Sequence, residues 1–225
     1  MFLQKLACLV VYGASLWHSP LMLLQLFLLI NSARAFAFGE VNSGDLKNGD
    51  VILQSQACFV CQLIEEEENS PYSHIGVIVT QERGEPMVLE SWGYVTNTPL
   101  SEFLSRRKRN TRSLILRSQS HLRLASVNAY ELMDRFGNSF AGKIYDPAFL
   151  WNNRDENGEL LYCSEFVAKF INPFLGNKLL PKAMHYERNR SAWMHYFNGN
   201  PPDGKPGLSP GDFERSPLFN RIGLL

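Results

Sequence analysis

Short apolar runs, separated by turn residues, fill the middle of the chain and predict a sheet. The run at 50–54 follows the turn Asn48-Gly49, and "SLILRS" at 113–118 is a second short apolar run, so each predicts a strand. Between them, "SHIGVIVT" and "MVLESWG" flank the turn-forming segment "QERGEP". Because β-branched residues on both sides of a turn favour a hairpin, we predict one at 73–93.

The register of this predicted hairpin decides which polar side chain accompanies His74. Side chains alternate between the two faces of a strand. If the numbers of paired residues add up to an even value, Glu90 lies on the face of His74, and if the sum is odd, Ser91 does. The turn does not fix this sum, so the residue pattern leaves both alternatives open.

Segments with helical patterning alternate with the predicted strands. The stretch "ACFVCQLIEEEENS" predicts a short helix with a solvated acidic end, and "PLSEFLSRRKR" one that ends in solvated basic residues. "HLRLASVNAYELMDRFG" predicts a helix with Ser120 as its cap. "YCSEFVAKF" predicts a helix that begins near Cys163 and ends by Asn172, before Pro173. Helices mixed with a hairpin predict an α+β fold.

The two ends of the chain differ from its middle. Residues 1–35 contain no acid, and the apolar run "PLMLLQLFLLI" precedes the small-residue pattern Ala33-Arg34-Ala35, which predicts a signal peptide. An uncleaved anchor, which would associate the chain with a membrane, is the alternative. Both place the rest in the periplasm or cell envelope. We therefore predict one domain at 36–198, followed by an irregular Pro/Gly-rich tail at 199–225 that docks on it.

Charge and cysteine content limit the kinds of partner. Lys plus Arg equal Asp plus Glu at 22 each, so no overall charge favours nucleic acid. After the leader the chain keeps Cys58, Cys61 and Cys163. The first two are predicted to form a local disulfide or to be packed thiols, whereas a single CxxC is weak evidence for zinc or for a redox site. We expect no metal and no cofactor, and the oligomeric state is left open.

Cys163 is the residue whose side chain is most readily interpreted as a reactive group. A thiol reacts as the thiolate, which a helix N-terminus and a nearby imidazolium both stabilise. His74 lies in a predicted core strand that can fix the direction of its ring, whereas His121, His185 and His195 lie in polar segments. A cysteine early in a helix is also often a packed core residue, so residue types alone leave a nucleophile and a structural thiol equally open.

Five blocks add a family resemblance that covers about 46–175. They are "LKNGDVILQ" (46–54), "SPYSHIGVIV" (70–79), "VLESWGYVTNTPLSEFL" (88–104), "KIYDPAFLW" (143–151) and "YCSEFV" (162–167). Together they resemble the circularly permuted NlpC-type papain-fold hydrolases of the YiiX- and YaeF-like group, which is related to lecithin retinol acyltransferase. The resemblance implies a permuted papain-like fold, in which an antiparallel sheet packs against helices and the nucleophile begins a helix.

The resemblance also implies an active site. Cys163 matches the nucleophile, His74 the general base and Glu90 the polar residue that orients the imidazole. Tyr162, Tyr72 and Ser164 are expected to bind substrate or support the site. Asp146 is a further polar candidate, for which capping of its own loop is the simpler interpretation.

The implied function is that of an exported cysteine peptidase or amidase. It would cleave an amide bond through a thioester, with a cell-wall peptide or another envelope component as its substrate. A lipid or N-acyl hydrolase or acyltransferase with the same Cys-His site is the alternative. A binding module without activity, and a redox protein acting through Cys58 and Cys61, are two further alternatives.

Overall fold

A computed structural model describes residues 39–119 and 128–225. The strands are β1 (Val51–Gln54), β2 (His74–Val79), β3 (Met87–Trp92), β4 (Tyr94–Pro99), β5 (Leu114–Ser118), β6 (Arg154–Asp155), β7 (Gly158–Glu159), β8 (Lys182–Ala183), β9 (Pro206–Gly207) and β10 (Phe219–Leu224). Six of them form an antiparallel sheet in the order β10-β5-β1-β2-β3-β4. The short strands pair as β6-β7 and β8-β9.

Helices surround this sheet. They are α1 (Phe59–Glu68), α2 (Leu100–Ser105), α3 (Ala129–Ser139), α4 (Cys163–Ile171), α5 (Arg190–Tyr196) and α6 (Pro210–Arg215), with 3-10 turns at Ser43–Asp45 and Asn172–Phe174. Within the described ranges, no helix is both long and apolar enough to cross a membrane. The predicted leader at 1–35 and the predicted cap Ser120 lie outside the described residues.

Two apolar layers bury the central strands from both sides. Val51 and Leu53 of β1 belong to the larger cluster, together with α4, whereas the intervening Ile52 belongs to a second cluster that contains Phe103 of α2. A strand covered on both faces needs apolar residues at consecutive positions. This explains why the sequence has short continuous apolar runs instead of alternating ones.

The pairing of β2 with β3 answers the register question. Gly76 lies opposite Glu90 and Val77 opposite Leu89, so the paired numbers have an even sum. Glu90 therefore lies on the face of His74. Ser91 points to the other face, where its Oγ donates a hydrogen bond to the carbonyl oxygen of Leu161 at 2.7 Å.

The C-terminal segment differs from our expectation of an irregular tail. The helix α6 begins with Ser209 and Asp212 in a capping box, and β10 pairs with β5 as an edge strand of the main sheet. A bulge between Arg221 and Gly223 interrupts the alternation of β10, so the sequence shows no clear strand period. The tail does contact the domain, but as regular secondary structure.

Candidate active site

Cys163 is the first residue of α4 and lies at the sheet. The preceding residue, Tyr162, has an extended backbone. Before it, the carbonyl oxygen of Leu161 accepts a hydrogen bond from the side chain of Ser91. The Tyr162 side chain makes no capping hydrogen bond, so it does not occupy the N–H groups of the first turn. Cys163 is 4% exposed, and it is the free cysteine of the described residues.

The structure brings the three predicted catalytic residues together. His74 begins β2, and its Nε2 lies 2.6 Å from Oε2 of Glu90. Cys163 is the second group close enough to this imidazole to raise its pKa. Since Nε2 is engaged by Glu90, Nδ1 is the ring nitrogen left for the thiol. The resulting order, Cys163 to His74 to Glu90, is that of a nucleophile, a base and an orienting carboxylate.

Aromatic residues fix the ring of His74 from two sides. Phe103 stacks on it with 5.6 Å between ring centroids, and Trp92 meets it edge-on at 5.4 Å. The start of β2 is held by Ser73, whose Oγ donates to Glu65 at 2.9 Å. These contacts limit rotation of the imidazole, which keeps both its nitrogens directed at their partners.

Arg106 is a residue of the site that the sequence did not indicate. Its Nη2 donates to Oε1 of Glu90, and its guanidinium lies 5.1 Å from the ring centre of Trp92. We expected the basic run at 106–109 to be a solvated helix end, which is wrong for Arg106. A second member of the run, Arg107, donates to the carbonyl oxygen of Leu225 at 2.8 Å. Only the tertiary fold brings these partners to the run.

The charges of the site follow from these contacts. Burial by itself would lower the pKa of His74, but interactions with Cys163 and Glu90 outweigh burial and raise this pKa to about 9. Burial would raise the pKa of Glu90, and contacts with His74, Thr98 and Arg106 outweigh it and lower this pKa. At neutral pH the site thus contains an imidazolium and a carboxylate.

The supporting residues are divided between the site and the core. Tyr162 accepts a hydrogen bond from the N–H of Leu208 at 3.0 Å, and Ser164 Oγ lies 3.8 Å from Cys163 Sγ. Both line the pocket described below. Tyr72 instead belongs to the main core cluster, where burial raises its pKa to about 12. Tyr72 does not line that pocket.

Asp146 has the structural role that was the simpler interpretation. It is fully buried, and its two carboxylate oxygens accept hydrogen bonds from the N–H groups of Ala148 and Leu150 at 2.9 Å each. A third bond comes from Asn153 at 3.0 Å. Asp146 therefore shapes the loop that carries Tyr145 and Phe149 to the pocket.

Cys58 and Cys61 form a disulfide at the start of α1, which excludes the packed-thiol alternative in this structure. Cys58 caps this helix, since its Sγ accepts a hydrogen bond from the N–H of Cys61 at 3.1 Å. The helix also supplies Ile64 to the pocket beside Cys163. The disulfide therefore lies in an element that builds one wall of the site.

A small pocket of about 40 Å³, partly open to solvent, leads to Cys163. Its walls come from α1, α4, α5, the loop near Phe149 and the segments at 184–186 and 208–210. Most of the apolar lining residues belong to a third apolar cluster that includes Phe149, Tyr162, Tyr186 and Trp193. Cys163, the predicted nucleophile, thus borders a cleft through which a substrate carbonyl can reach it.

Comparison with known proteins places this geometry in a family. The family model described as permuted papain-like amidase enzyme, YaeF/YiiX, C92 family matches residues 45–223. The chain belongs to this family. The crystal structure of metalloprotein YiiX from Escherichia coli O157:H7 has the same fold, with a TM-score of 0.65 and 22% identity over 80% of this chain and 97% of that one. No curated protein matches the chain.

Family membership confirms the permuted papain-like α+β fold and the enzyme class, a papain-like amidase. In the permuted order the strand of His74 precedes the helix of Cys163, as the structure has it. Residues 39–119 and 128–225 contain no group of three or more His, Cys, Asp or Glu placed to hold a metal ion. The roles of Cys163, His74 and Glu90 stay predictions that their geometry supports.

Proposed function

We propose that this protein is an exported cysteine amidase that cleaves an amide of a cell-envelope peptide through a thioester at Cys163. The observation that carries the proposal is the imidazole of His74, which is hydrogen-bonded to Glu90 and has its pKa raised by both Glu90 and Cys163. The leader-like segment at 1–35 supports export. The amidase family supports the reaction.

The reaction has two stages. The Cys163 thiolate attacks the amide carbonyl, and the N–H groups at the start of α4 stabilise the resulting oxyanion. His74 then gives its proton to the nitrogen, the C–N bond breaks, and the amine leaves the thioester. In the second stage water loses a proton to His74, attacks the thioester carbonyl and releases the acid, while the thiolate is regenerated.

Glu90 positions the imidazole and does not itself react. Its carboxylate accepts the hydrogen bond from His74 and stabilises the imidazolium. Arg106 binds the second carboxylate oxygen, so that the first remains directed at His74. The two interactions fix the tautomer of the imidazole, with Nδ1 directed at Cys163.

Digestion of purified peptidoglycan tests the proposed substrate. Wild-type protein should release peptide fragments that mass spectrometry detects, and Cys163→Ser should release none. The double variant Cys58→Ser/Cys61→Ser keeps the nucleophile and should remain active, whereas a redox function would be lost in it. If wild-type protein releases nothing although a thiol-directed probe labels Cys163, the cell-wall substrate is wrong.

The same thioester also supports acyl transfer, the second function that the chain's chemistry allows. An acceptor other than water would then attack the acyl group on Cys163. The apolar walls of the pocket, with Phe149 and Trp193, favour this alternative because they exclude water from one side of the thioester. Adding hydroxylamine or a simple primary alcohol to the reaction, and measuring the hydroxamate or ester formed, distinguishes transfer from hydrolysis.

A further inference from the structure

The disulfide between Cys58 and Cys61 is accessible to thiols at one of its two sulfurs. Cys58 and the neighbouring Phe59 are exposed, whereas Cys61 is 4% exposed. An incoming thiolate therefore attacks the sulfur of Cys58, and Cys61 leaves as a thiolate. Cys61 lies in the first turn of α1, where the helix dipole stabilises a negative charge. These positions make the disulfide easier to reduce than one that is buried at both sulfurs.

Both sides of this disulfide are hydrogen-bonded to the residue that precedes His74. From α1, Oε1 of Glu65 accepts a hydrogen bond from Oγ of Ser73 at 2.9 Å. From the segment before α1, the N–H of Gln56 donates to the same Oγ at 3.1 Å. Ser73 is 4% exposed, so water does not replace either partner. The position of Ser73 at the start of β2 therefore depends on how α1 is held against the segment before it.

The disulfide joins these two supports covalently. Cys58 lies two residues after Gln56, and Cys61 lies one helical turn before Glu65. Without the covalent bond, the first turn of α1 would be capped by a thiol, which is a weak hydrogen-bond acceptor, and helix ends with weak caps fray. A hydrogen bond from Ser55 to Glu65 at 2.5 Å does not depend on the disulfide. Reduction should therefore loosen the two supports without unfolding the domain.

We propose that Cys58–Cys61 is a redox-sensitive site, reduced by dithiols, that controls the reactivity of Cys163 through Ser73 and His74. The oxidised form is the more reactive one, because it holds the start of β2 in place. The proposal rests on the nucleophile of the function proposed above and adds a form of regulation to it. The export proposed there would keep the site oxidised until a dithiol reaches it.

The chemistry of the site is a two-electron exchange. One thiolate of the dithiol attacks Cys58 and forms a mixed disulfide, and the Cys61 thiolate leaves and takes up a proton. The second thiol of the dithiol then loses its proton and attacks its own partner sulfur, which releases Cys58 as a thiol. The protein gains two electrons and two protons, and the dithiol becomes a disulfide.

Alkylation of Cys163 by chloroacetamide tests the proposal without a substrate. The oxidised protein is compared with protein that was reduced by dithiothreitol and then freed of it without air, and mass spectrometry follows the peptide that contains Cys163. Because residues of one hydrogen-bond network are coupled, reduction should slow the labelling of Cys163 at least about threefold. Reoxidation with oxidised dithiothreitol should restore the rate. Cys58→Ser/Cys61→Ser should label at the slower rate with or without dithiothreitol treatment.

Two serine variants test the route from the disulfide to His74. Ser73→Ala removes the hydrogen bond to α1, so Cys163 should label slowly in both redox states. Ser70→Ala is the matched control, because Ser70 is also 4% exposed but its Oγ donates to Glu214 at 2.6 Å. Ser70→Ala should keep the full difference between the oxidised and the reduced protein.

Four results would overturn the proposal. They are equal labelling of Cys163 in the two redox states, a redox difference that persists in Ser73→Ala, resistance of the folded protein to dithiothreitol, and loss of the thermal unfolding transition on reduction. The last result would make the disulfide a purely structural one. Equal labelling contradicts the redox control alone. No labelling of Cys163 in either state would contradict the nucleophile itself, and with it the proposed function.

Discussion

The coupling between Glu90 and His74 predicts a specific change in the variant Glu90→Gln. The substitution keeps the shape of the side chain and removes its charge. In the wild type, His74 has a pKa of about 9 against an ordinary value of 6.5. This rise of about 2.5 pH units corresponds to roughly 3 kcal/mol favouring the protonated ring. Cys163 and Glu90 produce this rise against the opposing effect of burial.

Removing the charge of Glu90, one of the two groups that raise this pKa, should therefore lower the pKa of His74 by at least about one pH unit. The sign follows from linkage. A raised pKa stabilises the fold below the unfolded value near 6.5, and this stabilisation disappears as the pH rises through about 9. In Glu90→Gln this stabilisation should be smaller and should be fully lost at a lower pH, and the alkaline decline of amidase activity should move with it.

Nuclear magnetic resonance measures this pKa directly. Two-bond ¹H–¹⁵N spectra of the His74 ring, recorded as a function of pH, give the midpoint in wild type and in Glu90→Gln. The control is Glu159→Gln, which removes another ion-paired carboxylate, bound to Lys143 and Lys169 and not to the imidazole. An unchanged midpoint in Glu90→Gln, or an equal shift in the control, would refute the coupling.

Three further predictions concern the nucleophile and the fold. Chloroacetamide should label Cys163 at pH 7, and His74→Ala should slow this labelling at least tenfold, as mass spectrometry of the peptide that contains Cys163 will show over time. Gly76→Ala should cost about 1–3 kcal/mol in urea unfolding, since the added Cβ would lie 2.4 Å from a valine side chain. Cys58→Ser/Cys61→Ser should lose about 2 kcal/mol of unfolding free energy, and no loss would contradict the role of the disulfide at α1.

The sequence was informative where local pattern and chemistry coincide. The runs at 51–54, 74–79 and 114–118 are strands because continuous β-branched and aliphatic residues suit a sheet that is covered on both faces. The start of α4 at Cys163 follows from a polar first turn and an apolar continuation. These features depend on neighbouring residues alone, and they place His74 and Cys163 in the correct kinds of element.

Other features depend on partners that are distant in the chain. The strand β4 was not predicted, since "YVTNTP" has few apolar residues and becomes a strand by pairing with β3 at the sheet edge. The register that selects Glu90 over Ser91 likewise depends on how the whole hairpin packs. The basic run at 106–109 has no sequence signal that separates Arg106 from its neighbours. Only the position of the run beside β3 brings its first member to Glu90.

Charge neutrality within the buried site explains why Arg106 belongs to it. A protonated His74 and Arg106 carry two positive charges beside the Glu90 carboxylate, and the thiolate that the proposed reaction requires at Cys163 makes the set neutral. In a poorly hydrated site, burying a balanced set of charges costs much less free energy than burying an unbalanced one. Replacing one member by a neutral residue either costs several kcal/mol or changes the protonation of another member. The second response is expected at His74, because the imidazole is the member of the set whose proton is most easily lost. The pH titration of His74 therefore reports on the charges of the whole site more directly than the hydrolysis rate of any single substrate does.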